Sequence, residues 1–254
     1  MKIILFTQED PFYLVESTDD LIQKLNKDGK HSIISAIITP PSPFGKKETF
    51  MQKAMKTYRI FGLSFFIFYS FKFFLRKIIM SKSVENILKR YNVPTETITD
   101  SINSRKNVDL IKSLNADLIL IIAGNQIIKQ EVLDSTKYGV FNIHSSLLPN
   151  YKGLMPTFWV LKNNEQKTGV TLYQLTEGID NGPIISSKDF IIPKNMPQSE
   201  LIKKLKILAN DLVIDSIELV KNKENYKECI GGSYFKFPTN ENVKEFKKNN
   251  KRFY

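Results

Sequence analysis

The sequence predicts an α/β protein with a mostly parallel sheet covered by helices on both faces, on three observations. Residues 2–39 run as a short apolar stretch, a stretch with apolar residues at helical spacing, and a β-branched stretch, which is the order of a βαβ unit. Residues 117–123 read Asp-Leu-Ile-Leu-Ile-Ile-Ala, a near-continuous apolar run that fits a central parallel strand buried on both sides. The turn after the first strand, Thr7-Gln8-Glu9-Asp10-Pro11, lacks the glycines that let backbone N–H groups approach a pyrophosphate, so ordinary dinucleotide binding is disfavoured.

Taken in order, residues 2–6 are expected as a buried strand and 14–25 as a helix stopped near Asp28-Gly29. Residues 32–39 form the second strand, bounded by Pro40-Pro41. Residues 44–80 read as an apolar helical insertion. Twelve uncharged, Phe-rich residues, 60–71, lie between Arg59 and Lys72, too few for a membrane span of roughly 20. Three readings stand for 60–75: a buried core helix, placed first, a partner or homodimer contact, and an interfacial helix whose lysines meet lipid phosphates.

Further on, 83–90 is helical, 95–98 a short strand, 108–114 a helix, and Gly124-Asn125-Gln126 turns the chain after the central strand, where open α/β sheets place ligands. A short helix to about Leu133 and a strand entering Asn142 follow. Residues 157–163 read as a helix, 169–175 and 183–192 as strands, and 200–220 as a long amphipathic helix. The expected organisation is one domain over 1–222 with a short extension, 223–254, whose basic run 244–252 reads as a solvated tail.

With 254 residues, 42% of them hydrophobic, the chain can bury a full core. No signal peptide is recognised at its start, and the lone Cys229 has neither a disulfide partner nor a metal-ligand spacing, so a reducing cytoplasm and no metal are expected. A net charge of +11 favours an anionic partner: nucleic acid, a phosphorylated small molecule or an anionic membrane. Its spread along the chain is equally what a lysine-rich surface shows.

The densest chemistry lies between Asn142 and Asp180. Of the two histidines, His31 follows Lys27-Asp28-Gly29-Lys30 and reads as a solvated loop residue. His144 stands two residues after Asn142, so an extended backbone points both side chains to one face. An amide can donate to an oxygen gaining charge, an imidazole can move protons near neutral pH, and a carboxylate such as Asp180 can orient the imidazole. Without a nucleophilic serine or cysteine among them, this set suggests acyl transfer with no covalent enzyme intermediate. Ser145 flanks the histidine but faces elsewhere, and no G-x-S-x-G elbow occurs.

The run Asn142-Ile143-His144-Ser145-Ser146-Leu147-Leu148-Pro149, then Tyr151-Lys152-Gly153, Thr168-Gly169-Val170-Thr171 and Glu177-Gly178-Ile179-Asp180-Asn181-Gly182-Pro183 resembles the formyltransferase superfamily that uses 10-formyltetrahydrofolate. The resemblance is close over 117–192 and implies a Rossmann-like fold without the dinucleotide fingerprint. It implies catalytic roles for Asn142 (oxyanion), His144 (proton movement) and Asp180 (tuning His144). It also implies a folate slot at Gln126, Ile127 and Ile128, at Thr176, Glu177, Gly178 and Ile179, and at Ser146, Leu147, Leu148 and Pro149. Acceptor contacts are expected at Tyr151, Lys152 and Trp159.

Among the family's acceptors, a phosphorylated small-molecule amine on a nucleotide-linked sugar is the expected one, with no nucleic acid. The C-terminal run Ser233-Tyr234-Phe235-Lys236-Phe237-Pro238-Thr239 resembles an element of the sugar-modifying branch. Methionyl-tRNA-like, glycinamide-ribonucleotide-like, hydrolase and inactive folate-binding readings stand behind it.

Overall fold

The computed structural model describes residues 1–41 and 48–254; the first four residues of the expected 44–80 insertion lie outside that range. Five parallel strands form the body of the sheet: β1 (Lys2–Gln8), β2 (Ser32–Thr39), β3 (Thr95–Thr97), β4 (Leu118–Ile122) and β5 (Val140–His144). After a short β6 (Lys152–Gly153), the strands β7 (Lys167–Gln174) and β8 (Ile184–Ile191) join antiparallel. Among the described residues the order is β3-β2-β1-β4-β5-β7-β8, with β6 paired separately to β9 (Tyr234–Phe235). The mostly parallel α/β architecture is the one the sequence predicts.

Strand alternation divides the core into two layers. Ile3 and Leu5 of β1, Leu118, Leu120 and Ile122 of β4, and Phe141 and Ile143 of β5 face α1 (Leu14–Asp28), α4 (Val84–Arg90), α7 (Pro156–Lys162) and α8 (Gln198–Ser216). Ile4, Phe6, Ile119, Ile121 and Val140 face α5 (Arg105–Ser113) and α6 (Gln130–Leu133). Burying each such side chain contributes about 1.5–3 kcal/mol, so the central strands have no polar face to spare. Asn142 and His144, on the Val140 side of β5, depart from this rule, as does the buried Thr7 of β1.

The Phe-rich segment forms α2 (Phe50–Phe61) and α3 (Leu63–Phe73), followed by a π-helical stretch, Phe74–Ile79. A capping box at Thr49 starts α2, and Gly62, at φ 87°, breaks the run into two helices. Phe61 is buried and Phe65 stacks on it at 4.4 Å, but no residue of α3 is buried. The core-helix expectation for 60–71 is therefore corrected: only the inner edge packs, while Leu63, Ile67 and Phe71 stay exposed.

Two further expectations are overturned. The basic run 244–252 is not a solvated tail. Most of it lies in α9 (Asn240–Lys248), capped by Thr239, whose Val243 and Phe246 enter the core while its lysines point out. Phe246 stacks on Phe158 at 4.9 Å and on Phe253 at 4.7 Å. His31 is not solvated either. It is 6% exposed, beside the chain's amino terminus and 3.1 Å from Glu218, and burial followed by the terminal ammonium lowers its pKa.

Candidate active site

The site is built where β5 ends. The register pairs Ile121 of β4 with Asn142 on one side and Tyr173 of β7 with Asn142 on the other, so Asn142 is flanked by strands across its whole backbone. His144 pairs with Thr171 one pleat further on. Alternation then puts the Asn142, His144 and Tyr173 side chains on one face of the sheet, as the sequence spacing predicts for the first two.

Hydrogen bonds join Asn142 and Tyr173 to Asp180, and Asp180 lies within ion-pair distance of His144. Asn142 Nδ2 donates to the Tyr173 hydroxyl at 2.9 Å, and that hydroxyl donates to Asp180 Oδ1 at 2.6 Å. The other carboxylate oxygen of Asp180 lies 3.6 Å from His144 Nδ1 and accepts from the Gly153 backbone N–H at 2.7 Å. His144 Nε2 meets the Tyr151 carbonyl at 2.7 Å. Both ring nitrogens thus face oxygen. The Asp180 loop bends back from β7 to reach this point, with Asp180 itself at φ 50°. Burial, and next the Asp180 charge, push the Tyr173 hydroxyl well above its ordinary pKa, which keeps it a neutral donor.

The turn after β5 is held from both sides. Thr171 Oγ1 donates to the Ser146 carbonyl at 2.8 Å and accepts from Leu148 N at 3.1 Å. Ser146 is fully buried and donates to the Asn150 carbonyl, so it shapes the turn. Leu148 is buried, whereas Leu147 and Pro149 are half-buried. The C-terminal extension supplies the opposite support. Tyr151 N donates to Ser233 Oγ at 3.0 Å, Lys152 N to the Ser233 carbonyl at 2.8 Å, and Leu154 N to the Phe235 carbonyl at 2.9 Å. Gly153 is required there, since at φ 94° a Cβ would lie 2.2 Å from the Phe235 carbonyl oxygen.

The acceptor contacts expected at Tyr151, Lys152 and Trp159 fall differently. Tyr151 offers its carbonyl to His144, but its hydroxyl donates to Glu165 at 2.6 Å and its ring stacks on Phe235. Lys152 is buried, with Nζ on Asn181 Oδ1 at 2.5 Å, and braces the Asp180 loop. Trp159 is 8% exposed, stacks on Phe235 at 4.8 Å and donates its indole N–H to the Lys236 carbonyl, which places it in the core.

Two of the three stretches expected to hold folate follow β4 and β7, the strands that flank β5. Gln126 is tied to the 98–104 loop through Ile102 N and the Asp100 carbonyl; Ile127 is 61% exposed and Ile128 buried. Thr176, Glu177, Gly178 and Ile179 are exposed. No cluster of three His, Cys, Asp or Glu side chains suited to a metal ion occurs among the described residues.

Sequence spacing missed Tyr173, the Tyr151 carbonyl and the Gly153 N–H. Alternation on residues 169–175 carried the only signal for Tyr173, and it needed the β5–β7 register to be read.

An Asn, a His and an Asp brought together at the end of a parallel strand form a candidate active site on an α/β fold. Residues 2–217 match the family described as formyl transferase, and the chain belongs to that family. It is 35% identical over 130 residues to methionyl-tRNA formyltransferase of Clostridioides difficile (strain 630), a match covering 51% of this chain and 42% of that one. That is less than half of the relative's length.

Its fold is similar to a sugar N-formyltransferase from Shewanella sp FDAARGOS_354, with TM-score 0.58, 18% identity, and coverage of 93% of this chain and 77% of that one. It is also similar to an N-formyltransferase from Helicobacter canadensis in complex with folinic acid and dTDP-3-aminofucose, with TM-score 0.53, 19% identity, and coverage of 93% and 71%. At such identities the likeness is one of fold.

Proposed function

We propose that the chain transfers a formyl group from 10-formyltetrahydrofolate to the primary amine of a nucleotide-linked amino sugar. The observation that carries the chemistry is the Asn142–Tyr173–Asp180–His144 network. In this reading the second amide N–H of Asn142, the one not engaged by Tyr173, donates to the formyl oxygen as it gains charge. His144 exchanges the Tyr151 carbonyl for the reacting group at Nε2, takes the proton of the attacking amine and passes it to the departing folate nitrogen. Asp180 holds the imidazole and stabilises its charged form. The folate supplies the carbon; its ring system would lie against the exposed aliphatic chains of Ile127 and Ile179.

A cavity of about 310 Å³ supports the acceptor assignment. It opens at the ends of β1 and β2, beside Gln8 and Pro41, and is lined by Glu48, Lys53, Lys56, Ile60, Phe61 and Phe237, with Lys56 paired to Glu48 at 3.0 Å. Lys53, which has no carboxylate partner among the described residues, over an apolar and aromatic floor suits a phosphate-bearing nucleotide, while Lys56, held by Glu48, sits 5.5 Å above the Phe237 ring. The Helicobacter canadensis neighbour carries such a ligand, dTDP-3-aminofucose, together with folinic acid. The 35% identity to a methionyl-tRNA enzyme favours a second reading, with aminoacylated tRNA as acceptor.

The test is mass spectrometry of nucleotide-linked amino sugars, and separately of methionyl-tRNA, incubated with the pure protein and 10-formyltetrahydrofolate. A gain of one formyl group on a sugar nucleotide is expected. Formylation of the tRNA alone would replace the first reading with the second, and tetrahydrofolate release with neither product would exclude both.

A further inference from the structure

The exposed side of the α2 and α3 segment is the largest feature the formyl-transfer reading does not use. Leu63, Ile67, Phe71, Phe74 and Ile78 recur at helical spacing along α3 and the π-helical stretch, and each is more than half exposed. Met51, Met55 and Tyr58 continue the surface onto α2, where Tyr58 meets Phe66 edge-on at 6.1 Å. A soluble surface rarely leaves so many large apolar side chains together without a partner.

The opposite side of the same segment is firmly seated. Tyr69 and Tyr13 share a hydrogen bond of 2.7 Å, and Lys72 lies over the rings of Phe12, Tyr13 and Tyr69. Arg76 pairs with Glu16 at 2.5 Å and reaches the Pro11 carbonyl, while Lys77 pairs with Glu9. These contacts fasten the segment to the turn that leaves the carboxyl end of β1, the end of the sheet that carries the catalytic network. The outward stripe is thus presented on a rigid base.

Charge selects the occupant. From Thr49 to Val84 the chain has seven lysines and arginines and no aspartate or glutamate. Glu9, Glu16 and Glu48, from outside the segment, neutralise part of that charge; among the described residues Lys53 and Arg59 have no carboxylate partner, and Lys72 is taken up by the aromatic rings of the seated side. A symmetric contact between two copies would press one cationic segment against another. A lipid surface with anionic headgroups accepts both the apolar stripe and its basic rim. The 17 residues of α3 and the π-helical stretch would lie along that surface for roughly 25 Å. No described helix is long and apolar enough to cross a membrane.

We infer that this face docks the enzyme peripherally on an anionic phospholipid surface, with the carboxyl end of the sheet beside the bilayer. The inference is independent of which acceptor is used, and its test reads no turnover.

The full chain is floated with phosphatidylcholine vesicles containing about one third phosphatidylglycerol, and with pure phosphatidylcholine vesicles. Binding to the anionic vesicles alone is expected, weakening as salt rises. The triple variant Ile67→Ser, Phe71→Ser, Phe74→Ser should lower the partition coefficient at least about tenfold, and Arg59→Gln about fivefold. Unchanged circular dichroism and melting temperature confirm that the variants fold, as expected for exposed positions. Absence of vesicle binding by the wild type overturns the inference, as does binding that the triple variant retains. A dimer seen by light scattering that the triple variant dissolves, without vesicle binding, would assign the face to a second copy instead.

Discussion

Replacing Tyr173 by phenylalanine removes one oxygen from the middle of the network and leaves the ring in place. That oxygen accepts from Asn142 Nδ2 at 2.9 Å and donates to Asp180 Oδ1 at 2.6 Å, and neither of those two atoms has another described partner. Asp180 keeps the Gly153 N–H through its second oxygen, so the carboxylate is loosened but not orphaned. Each hydrogen bond is worth about 1 kcal/mol net, and leaving buried groups unpaired raises the stability cost to about 1–3 kcal/mol.

For a chain of this size that corresponds to a drop in melting temperature of about 2–4 °C per kcal/mol. The effect on catalysis has a different origin. Asn142 and Asp180 lose their common brace, and the expected fall in kcat is about 10- to 100-fold, or about 1.4–2.7 kcal/mol of transition-state stabilisation. KM for folate and for the amine should change by less than about threefold, because the hydroxyl is engaged by protein groups rather than substrate. Steady-state formylation kinetics, with a thermal melt of the same sample, measure both. A melting temperature that falls while kcat stays within about twofold would refute the bracing role and leave Tyr173 a purely structural residue.

The remaining expectations are more direct. Asn142→Ala and His144→Ala should each lower kcat about 100- to 1,000-fold with folding intact by circular dichroism; turnover near wild type would remove the proposed mechanism. Gly153→Ala forces a Cβ to 2.2 Å from the Phe235 carbonyl at a positive φ, so it should cost about 1–3 kcal/mol in a urea melt and lower activity by displacing the N–H that holds Asp180. A variant as stable and active as wild type would show that the β6–β9 pairing does not set the site.

Lys206 gives a pH prediction. Burial pushes its amine down to about 8 from an unfolded value near 10.5, so between those values the unfolded chain binds more protons and stability rises with pH. Wild type should gain stability from pH 7.5 to 9.5 relative to Lys206→Met, towards a full window on the order of 3 kcal/mol. Parallel pH profiles for the two proteins would contradict the burial of a charged amine.

Much of this molecule is legible in one dimension. Strands β1, β2 and β4 announce themselves as apolar or β-branched runs because a central parallel strand has two buried faces and no room for polar alternation. Asn142 and His144 share a face because the side-chain period of an extended backbone is two, and that period needs no tertiary information. The family, too, is visible in the blocks from Asn142 to Pro183.

The tertiary structure decided what the local pattern left open. An apolar helix reads alike whether it lies in a core or on a surface, and only packing shows that α3 lays its Phe65 edge against the core and exposes Ile67 and Phe71. A lysine-rich stretch reads as solvated, although Phe246 within it and Val243 and Phe253 on either side recur at intervals that a helix and its exit can turn to one side. Tyr173, the Tyr151 carbonyl and the Gly153 N–H enter the site through strand pairing and through a C-terminal segment about eighty residues away, contacts set by register rather than by sequence neighbourhood. Period and composition are local properties of a chain and can be read from it; which of two apolar faces is covered, and which distant backbone group completes a site, depends on partners the fold alone brings together.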